Sequence, residues 1–334
     1  MATNPSWVLN SFPMGMPSPD NWTLEDRRIP EPADGALLVR TMWLTVDPYM
    51  RGRISPAKNY AAGVPLGGLM IGGGVGEVVV SNSTNFKPGD IVTSGQFGWQ
   101  VFTVIPAAEA KIVDTKTAPV QSVLSYLGMP GMTAYFSLLH TGAAKEGETV
   151  LISAASGAVG QIAGQIARIK GMDPVAIAGT DAKVAWCREL GYRTGINHRT
   201  SNDMLADVAA ACPNGIDVFL DNTAGPIHDA AMLNLNTFAR VAIIGTISLA
   251  DKFDQPDIGL RHIRQTLIKR ARIEGFLFTD FAAQYDTAIA ELASWYEQGL
   301  LDTREDVAHG IEATPHAFVR MLKGENFGKQ LVKL

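Results

Sequence analysis

The segment from residue 148 to residue 171, ETVLISAASGAVGQIAGQIARIKG, restricts the fold more than any other part of the chain. Its apolar start predicts a buried strand, and AVGQIAGQIARIKG predicts a helix that ends at Gly171. Small residues fill the turn between them, so the backbone can turn tightly and approach a pyrophosphate closely. The helix N-terminus adds free N–H groups and the positive end of the helix dipole. The segment therefore predicts a dinucleotide-binding unit, and the alternative is a tight turn that binds nothing.

The turn itself is a variant of the dinucleotide fingerprint in which Ala154 takes the position of the first glycine. Gly160 has no side chain, which lets the helix pack closely on the preceding strand. We expect the pyrophosphate to lie against five consecutive residues of this turn: Ser156, Gly157, Ala158, Val159 and Gly160.

The rest of the chain divides into two patterns. The first hundred or so residues contain short β-branched runs bounded by Gly and Pro, which predicts a β-rich domain. After residue 120, strands such as PVAIAG, IDVFLDN and ARVAIIGTI are separated by helical stretches, which predicts a parallel sheet with right-handed crossovers. A length of 334 residues exceeds what one hydrophobic core usually holds, so we expect two domains. The final strand, KQLVKL, is able to return to the first domain.

The end of the strand PVAIAGT indicates which dinucleotide is bound. An NAD-binding strand usually ends in Asp or Glu, whereas Gly179 and Thr180 leave room for a 2′-phosphate. Lys183 follows one helical turn later and can reach that phosphate as a point charge. Asp181 is the opposing signal, because it can contact a ribose, but we expect it to cap the following helix. The pattern favours NADPH over NADH.

Metal ligands are missing where a zinc alcohol dehydrogenase would need them. All six histidines lie after residue 139, and both cysteines, Cys187 and Cys212, lie in the alternating half. The first domain has no soft ligand, and no set of four cysteines exists for a structural zinc. We therefore expect no metal, and hydride transfer assisted by hydrogen-bond donors.

Charge and hydropathy exclude several classes of partner. The net charge is −5 without a long run of Lys or Arg, so nucleic acid is not expected to bind. No apolar run is long enough to span a bilayer, and the N-terminus lacks a secretory signal. The two cysteines form no CxxC motif. We expect a cytoplasmic protein without a membrane partner.

Six long stretches together resemble one known family over nearly the whole chain. The chain is similar to the zinc-independent branch of the medium-chain dehydrogenase/reductase superfamily, in particular to the leukotriene B4 dehydrogenase/prostaglandin reductase group with curcumin reductases and alkenal double-bond reductases. The stretches are VDPYMRGRI at 46–54, MPGMTAYFSLL at 129–139, AASGAVGQIAGQIAR at 154–168, CPNGIDVFLDNTAG at 212–225, KRARIEGF at 269–276 and GENFGKQLVK at 324–333.

This resemblance implies an α/β fold, with a Rossmann doubly wound parallel sheet and a GroES-like β-rich catalytic domain. It implies a first part of the catalytic domain at 1–125, a Rossmann NADPH-binding domain at 126–297 and a return to the catalytic domain at 298–334. It also implies NADPH as hydride donor, a small enone or enal substrate, and a homodimer that is often formed by joining the Rossmann sheets.

The resemblance also assigns residues around the cofactor by position. Gly179, Thr180 and Lys183 fall at the adenosine phosphate, and the turn at 156–160 falls at the pyrophosphate. The group often has a tyrosine beside the phosphate, whereas this chain has His198 and Arg199, and an arginine suits a phosphate well. The nicotinamide end is assigned to Asn222, Gly245, Thr246, Ile247, Phe276 and Phe278, and Asn326 is expected to close over the cofactor.

The prostaglandin reductases have a tyrosine shortly after a Gly-x-Ile-Ser stretch, and this chain departs from them there. Residues 245–250 read GTISLA, so that hydroxyl is missing. A prostaglandin substrate is therefore not predicted for this chain.

Two tyrosines are the candidate catalytic donors. When hydride adds to the β-carbon of an enone, negative charge develops on the carbonyl oxygen and must be stabilised before the α-carbon is protonated. Tyr49 and Tyr60 lie in the domain that lacks metal ligands, and the resemblance to curcumin reductases places tyrosines at both positions. The alternative for Tyr49 is a buried packing role. Tyr60 lies in a Gly- and Pro-flanked loop, where packing explains less.

Other residues of the first domain have either a binding role or an ordinary structural role. Arg51 and Arg53 can bind a substrate anion, but structural ion pairs are the preferred prediction. Trp43, Met50, Met70 and Phe97 line either an apolar pocket or the domain core. The sequence thus predicts an NADPH-dependent 2-alkenal/enone reductase. A quinone reductase and a non-catalytic NADPH-binding module stay open as alternatives, and the missing ligands oppose a zinc enzyme.

Overall fold

The computed structural model describes residues 3–57 and 59–334. Two large sheets and one two-stranded hairpin form the framework. No helix of the described chain has the length and hydropathy required to cross a membrane.

A seven-stranded sheet carries the first third of the chain and the C-terminus. Its strands are β3 (Ala36–Thr45), β4 (Ile71–Ser81), β5 (Ile91–Gly98), β6 (Phe102–Pro106), β7 (Lys111–Ile112), β14 (Glu305–His309) and β15 (Lys329–Lys333). The order is β14-β15-β3-β4-β5-β7, with β6 paired to β3. β15 runs antiparallel to β3 in a register that places Leu331 opposite Thr45. The predicted strand KQLVKL is confirmed as β15, and it packs beside the N-terminal strands.

The remaining β-rich elements cover this sheet. β1 (Thr3–Leu9) and β2 (Trp22–Arg28) form the antiparallel hairpin. A single-turn helix, α1 (Met50–Arg53), follows β3 and contains the last four residues of the motif VDPYMRGR. Met50, Met70 and Phe97 are fully buried in one apolar cluster, so these three belong to the core. Trp43 is half-buried beneath the Lys333 side chain.

The second large sheet is parallel throughout. Its strands are β8 (Thr149–Ile152), β9 (Asp173–Ala178), β10 (Thr194–Asn197), β11 (Ile216–Asp221), β12 (Leu235–Ile243) and β13 (Arg272–Gly275). The spatial order is β10-β9-β8-β11-β12-β13, which is the order of the Rossmann fold. The predicted α/β class with a parallel sheet beside a β-rich region is confirmed.

Helices connect and cover the parallel strands, as crossovers between parallel strands require. Their bounds are α2 (Met129–Phe136), α3 (Gly160–Ile169), α4 (Asp181–Glu189), α5 (Met204–Ala211), α6 (Gly225–Leu233), α7 (Ile263–Lys269), α8 (Tyr285–Glu297) and α9 (Thr314–Leu322). The carboxyl ends of the parallel strands meet at one edge of the sheet, where ligands of open α/β sheets bind.

Candidate active site

The turn between β8 and α3 has the geometry that its small residues predict. Ala154 adopts a φ of +49°, in the left-handed region that glycine favours at this position. The Gly157 N–H donates to the Ala154 carbonyl at 2.9 Å and closes the turn. A Cβ on Gly160 would lie 2.5 Å from the Ala155 Cα, so only glycine allows the helix to begin this close to the strand. The N-terminus of α3 follows directly, where the Gln161 N–H already donates to the Gly157 carbonyl at 3.1 Å.

The C-terminal segment 324–328 lies against this turn. Gly157 forms a parallel bridge with Gly328. The Asn326 side-chain amide donates to the Gly328 carbonyl at 2.8 Å, which restrains the conformation of the segment. Asn326 thus lies two residues before the bridge to Gly157, and its closing over the cofactor stays a prediction.

Three basic side chains converge beside the ends of β9 and β10. The Lys183 ammonium donates to the Gly324 carbonyl at 2.7 Å, and the Arg199 guanidinium donates to the Lys323 carbonyl at 3.0 Å. A Cβ on Gly179 would lie 3.3 Å from His198 Nε2 and 3.4 Å from Arg199 Nε. Gly179 therefore gives both side chains room, and the residues predicted for the 2′-phosphate come together.

The basic cluster of Lys183, His198 and Arg199 is only partly compensated, because the negative charge of Asp306 acts on Lys183 from nearby. Within the described chain, neither Lys183 nor Arg199 forms an ion pair with a carboxylate. Burial lowers the pKa of Lys183, and the nearby charge of Arg199 lowers it further. Burial also lowers the pKa of His198, with added repulsion from Arg199 and Lys183. Lys183 is buried whereas His198 and Arg199 are exposed. A bound anion would relieve the repulsion between Lys183 and Arg199, so the cluster fits a phosphate.

Thr180, and not Asp181, caps helix α4. Thr180 has extended backbone angles, and its hydroxyl accepts from the Lys183 N–H at 3.2 Å. The predicted cap at Asp181 is wrong because the helix already begins at that residue, and a cap must precede the first helical residue. The Asp181 carboxylate instead accepts from the Asn197 side-chain amide at 2.8 Å.

The ends of β11 and β12 bring the residues predicted for the nicotinamide together. Asn222 donates from its side-chain amide to the Ser153 carbonyl at 2.9 Å and from its N–H to the Ser153 hydroxyl at 2.8 Å. The Asn222 carbonyl lies 3.2 Å from the position of a Cβ on Gly245 and accepts from the Ile247 N–H at 3.4 Å. Asn222 and the segment 245–247 therefore form one surface beside the turn after β8.

Phe276 and Phe278 follow β13 and pack into an aromatic cluster. Phe276 is buried with its ring 5.8 Å from that of Phe281, and Phe278 stacks on Tyr285 at 5.8 Å. The Phe276 N–H donates to the Ile243 carbonyl at 3.1 Å. Phe276 thus lies at the same sheet edge as Asn222, and the predicted role of both rings in lining the nicotinamide stays a prediction.

The two candidate donors lie close together but differ in exposure. Tyr49 immediately precedes α1 and is half-buried, with the Arg53 guanidinium 5.4 Å from its ring centre. Burial, followed by the negative charge of Asp47, raises the pKa of Tyr49 to about 12, and Tyr60 adds a smaller effect of the same sign. The Tyr60 side chain is 64% exposed. Tyr49 therefore stays protonated over the ordinary pH range and is the better shielded donor.

Known proteins are similar to this chain over both the β-rich region and the parallel-sheet region. Residues 5–113 match the N-terminal domain of oxidoreductase, and residues 158–294 match the family described as zinc-binding dehydrogenase. The chain is 38% identical to NADPH-dependent curcumin reductase of Escherichia coli, over 99% of this chain and 97% of that protein. It is 33% identical to 2-alkenal reductase (NADP(+)-dependent) of Nicotiana tabacum, over 99% and 97%. The crystal structure of CurA from Vibrio vulnificus in complex with NADPH superimposes with a TM-score of 0.93, at 38% identity and 98% coverage of both chains.

The chain belongs to the zinc-independent medium-chain dehydrogenase/reductase family. Identity of this extent over the whole length decides the assignment. The predicted resemblance to the curcumin, prostaglandin and alkenal reductase group is confirmed.

Potential metal ligands are scattered through the described part of the chain rather than clustered. Within residues 3–57 and 59–334, no group of three or more His, Cys, Asp or Glu side chains is arranged to hold a metal ion. Cys187 and Cys212 are buried free thiols, and burial raises the pKa of each to about 12. Since the thiolate is the form that binds metals, neither cysteine is a ready ligand.

The prediction of structural ion pairs is correct for one arginine of the motif VDPYMRGR and wrong for the other. Arg51 is buried and pairs with Asp254 at 3.1 Å. Arg53 donates to the Ala62 carbonyl at 3.0 Å and forms no ion pair with any described carboxylate. Its guanidinium instead lies beside the Tyr49 ring, since the neighbouring acid, Asp47, is already paired elsewhere.

Two buried carboxylates at the site are missed by sequence reasoning. Asp47 receives the buried Lys329 ammonium at 2.6 Å and the Thr45 hydroxyl at 2.7 Å, which fixes the turn before Tyr49. Asp221 accepts at one oxygen from the N–H groups of Thr223 and Ala224, each at 2.9 Å. An acid at the end of an apolar strand, as in IDVFLD, is the only sequence signal for such a residue.

His228 completes the arrangement around Asp221. The other Asp221 oxygen lies 2.8 Å from His228 Nδ1. This hydrogen bond raises the pKa of His228, outweighing the opposite effect of its partial burial. Asp221 thereby anchors the strand end that positions Asn222, the residue next to it in the chain.

Proposed function

We propose that this protein reduces the carbon–carbon double bond of α,β-unsaturated ketones and aldehydes with NADPH. Full-length similarity to a curcumin reductase and a 2-alkenal reductase, both named for NADP(H), carries the assignment. The basic cluster of Lys183, His198 and Arg199 supports NADPH over NADH, because only NADPH brings a 2′-phosphate.

The residues of the sheet edge would bind the cofactor from one end to the other. The basic cluster, with Gly179 and Thr180, would hold the 2′-phosphate by charge-assisted hydrogen bonds. The turn at 156–160 and Asn326 would hold the pyrophosphate at the α3 N-terminus. Asn222 and the segment 245–247, with Phe276 and Phe278, would orient the nicotinamide. When bound, NADPH supplies the hydride that adds to the β-carbon of the substrate.

Tyr49 would stabilise the charge that develops on the substrate carbonyl oxygen. A hydroxyl whose pKa is about 12 is fully protonated at neutral pH and donates a hydrogen bond without ionising. Its half-buried position excludes much of the water that would weaken such a bond. Tyr60, more exposed and beside it, would close the substrate side as a second donor. The α-carbon then takes a proton, which completes the reduction.

The test is a substrate panel with purified protein. NADPH oxidation is followed with 3-nonen-2-one, trans-2-nonenal, a benzoquinone, and 2-nonanone as a saturated control. We expect turnover of the enone and enal but not of the ketone. With NADPH deuterated at C4, the label is expected at the β-carbon of the saturated product.

Each result of the panel has a distinct meaning. Fast quinone reduction without enone turnover would replace the proposal by a quinone reductase. Tight NADPH binding without turnover of any acceptor would replace it by a non-catalytic binding module. Equal rates with NADH would contradict the assignment of Lys183, His198 and Arg199.

We also propose a homodimer formed through the β13 edge of the parallel sheet. All four residues of β13 are exposed, which leaves an unpaired strand edge of the kind that proteins usually cover. The adjacent helix α7 presents Ile263 and Leu267, exposed at 70% and 76%, and Leu260 before it is exposed at 65%. Several large apolar side chains exposed on one segment are typical of an interface.

The dimer is tested by sedimentation of the wild type and of Leu267→Glu. We expect a dimer that becomes monomeric when a charge replaces Leu267. The matched control is Leu205→Glu, which changes an exposed leucine on α5, away from β13. A wild-type monomer, or a variant that stays dimeric, would contradict the interface.

We place the protein in the reducing cytoplasm. Cys187 and Cys212 are free and buried, and a protein built without disulfides is suited to such a compartment. Cell fractionation with detection of the protein tests this, and recovery from an oxidising compartment would contradict it.

A further inference from the structure

A buried arginine joins the tyrosine side of the site to the nicotinamide side. Arg51 lies on α1, two residues after Tyr49, and its side chain is 1% exposed. Its Nε donates to the Ala250 carbonyl at 3.0 Å. Its Nη2 donates to the Gly15 carbonyl and to the Asp254 carboxylate, both at 3.1 Å. We call these contacts, together with the short hydrogen bond from the Ser55 hydroxyl to Asp254, the Arg51 junction.

The loop that Arg51 holds is the one that forms the nicotinamide surface. Residues 244–254 follow β12, and Ile247 at the start of this loop donates to the Asn222 carbonyl. Further along, Ala250 is 3% exposed and packs in the apolar core of the β-rich region. One end of the loop thus contacts Asn222, and its other end is bound to the helix that follows Tyr49.

The Arg51 junction fixes the position of the loop relative to α1 more than it stabilises the fold. Asp254 is about one-third exposed, so water screens its attraction to Arg51. Three directional contacts from one planar guanidinium, by contrast, fix both the position and the orientation of the loop. The guanidinium also lies 4.9 Å from the centre of the Phe253 ring, which restrains it from a further side. The Arg51 junction is therefore suited to alignment.

We propose that Arg51 and Asp254 are positioning residues that set the separation of Tyr49 from the loop carrying Thr246 and Ile247. This inference rests on the proposed function, since it concerns the alignment of the donor hydroxyl with the reacting atoms. Hydride transfer depends steeply on such alignment, and displacements of about 1 Å cost up to about a hundredfold in rate. Neither residue needs to touch substrate or cofactor.

The experiment compares Asp254→Asn, Arg51→Lys and Ser55→Ala with the wild type in single-turnover oxidation of bound NADPH by 3-nonen-2-one. Lysine keeps the charge of Arg51 but lacks the planar fork of donors. We expect Asp254→Asn and Arg51→Lys to slow hydride transfer by about tenfold, with Ser55→Ala between them and the wild type. The deuterium isotope effect on kcat is expected to increase. The Kd of NADPH and, in Asp254→Asn and Ser55→Ala, the Tm are expected to stay close to the wild-type values.

The matched control is Glu77→Gln, which removes a carboxylate from the exposed Arg40–Glu77 pair in β3 and β4, outside the cleft. It is expected to leave the single-turnover rate unchanged. A wild-type rate in both Asp254→Asn and Arg51→Lys would overturn the proposal, and so would a lower Tm without a slower hydride transfer below the transition. If Arg51→Lys does not fold, Asp254→Asn and Ser55→Ala decide in the same way.

A second measurement separates failure of this inference from failure of the proposed function. Hydrogen exchange of the amides of residues 247–250 is followed with NADPH bound and no acceptor present. Faster exchange in Asp254→Asn than in Glu77→Gln supports the Arg51 junction even if no enone is turned over. Identical exchange in the two variants overturns it whatever the substrate.

Discussion

The nucleotide side and the tyrosine side of the cleft are built in different ways. On the nucleotide side, the turn and the helix cap close through residues near each other in the chain, Gly157 with Ala154 and Lys183 with Thr180. The contacts from this side to the C-terminal segment 323–328 are then added. On the tyrosine side, Tyr49 is positioned by contacts across most of the chain. Lys329 binds Asp47, and Arg51 binds Ala250.

This difference indicates how the nucleotide side and the tyrosine side of the cleft respond to substitutions. A βα turn closes by its own backbone hydrogen bonds, so any chain with small residues at these positions forms it. The tyrosine turn depends on partners from β15 and from the loop after β12, so its geometry is a property of the assembled fold. Substrate choice is therefore expected to change through remote contacts, whereas the conformation of the cofactor turn after β8 changes through local ones.

The largest expected effect on activity comes from a substitution on the tyrosine side of the cleft. Tyr49→Phe is expected to lower kcat by about a hundredfold, because it removes one donor to the developing oxyanion. The Kd of NADPH should stay unchanged, since the substitution changes no residue of the proposed NADPH site. Steady-state kinetics and cofactor fluorescence titration measure the two effects. Tyr60→Phe, the paired variant, should cost less because Tyr60 is more exposed.

The pH dependence of kcat/KM tests the role of the Tyr49 hydroxyl in a second way. Burial and Asp47 hold the pKa of Tyr49 at about 12, so no ionisation of this hydroxyl should lower kcat/KM between about pH 6 and pH 10. A loss of activity near pH 10 that disappears in Tyr49→Phe would mean that the tyrosine side is open to water.

On the nucleotide side, Gly160→Ala tests whether the turn is determined locally. The added Cβ would meet the backbone of Ala154 and Ala155, so the free energy of unfolding should fall by about 1–3 kcal/mol, with weaker NADPH binding. Chemical denaturation and titration give both values. Gly95→Ala is the control, because its Cβ meets no atom within 4 Å. Equal stability of the two variants would contradict the tight packing of α3 on β8.

A smaller effect is expected at the basic cluster. Arg199→Met should weaken NADPH binding by about tenfold, the value of one charge-assisted hydrogen bond, and leave NADH binding unchanged. Calorimetric titration with both nucleotides measures the ratio. Arg188→Met, at an exposed arginine near the end of α4, is the comparison. A loss that is equal for NADPH and NADH would remove Arg199 from the phosphate site.

The smallest expected effect concerns the strand end held by Asp221. The hydrogen bond to Asp221 raises the pKa of His228 above its ordinary value of 6.5. The stabilisation it provides is therefore fully present below pH 6.5 and is lost as the pH rises through the folded-state pKa. His228→Gln should flatten this part of the pH dependence of unfolding, measured by denaturation at several pH values. The same slope in both proteins would contradict the pairing.

Sequence reasoning predicted much of the cofactor side and little of what surrounds the tyrosines. Local strand, turn and helix signals predicted cofactor roles for the turn at 156–160, Gly179 and Lys183, and the family resemblance added Arg199. Sequence reasoning misplaced the cap of α4 by one residue, since Thr180 and Asp181 are both good capping residues. It did not find Asp47, Asp221 or Asp254 as carboxylates of the site, because a lone acid in a sequence does not indicate its partner.

The sequence by itself determined the parallel α/β architecture, the β-rich region and the chemistry available at the turn after β8. Periodicity and small residues act over a few positions, and they dictate backbone conformation directly. Only the tertiary structure decided that Lys329 neutralises Asp47 and that Arg51 reaches Ala250 and Asp254. Those pairings depend on how two sheets are packed against each other, and packing is settled by burial of the whole core rather than by any short segment.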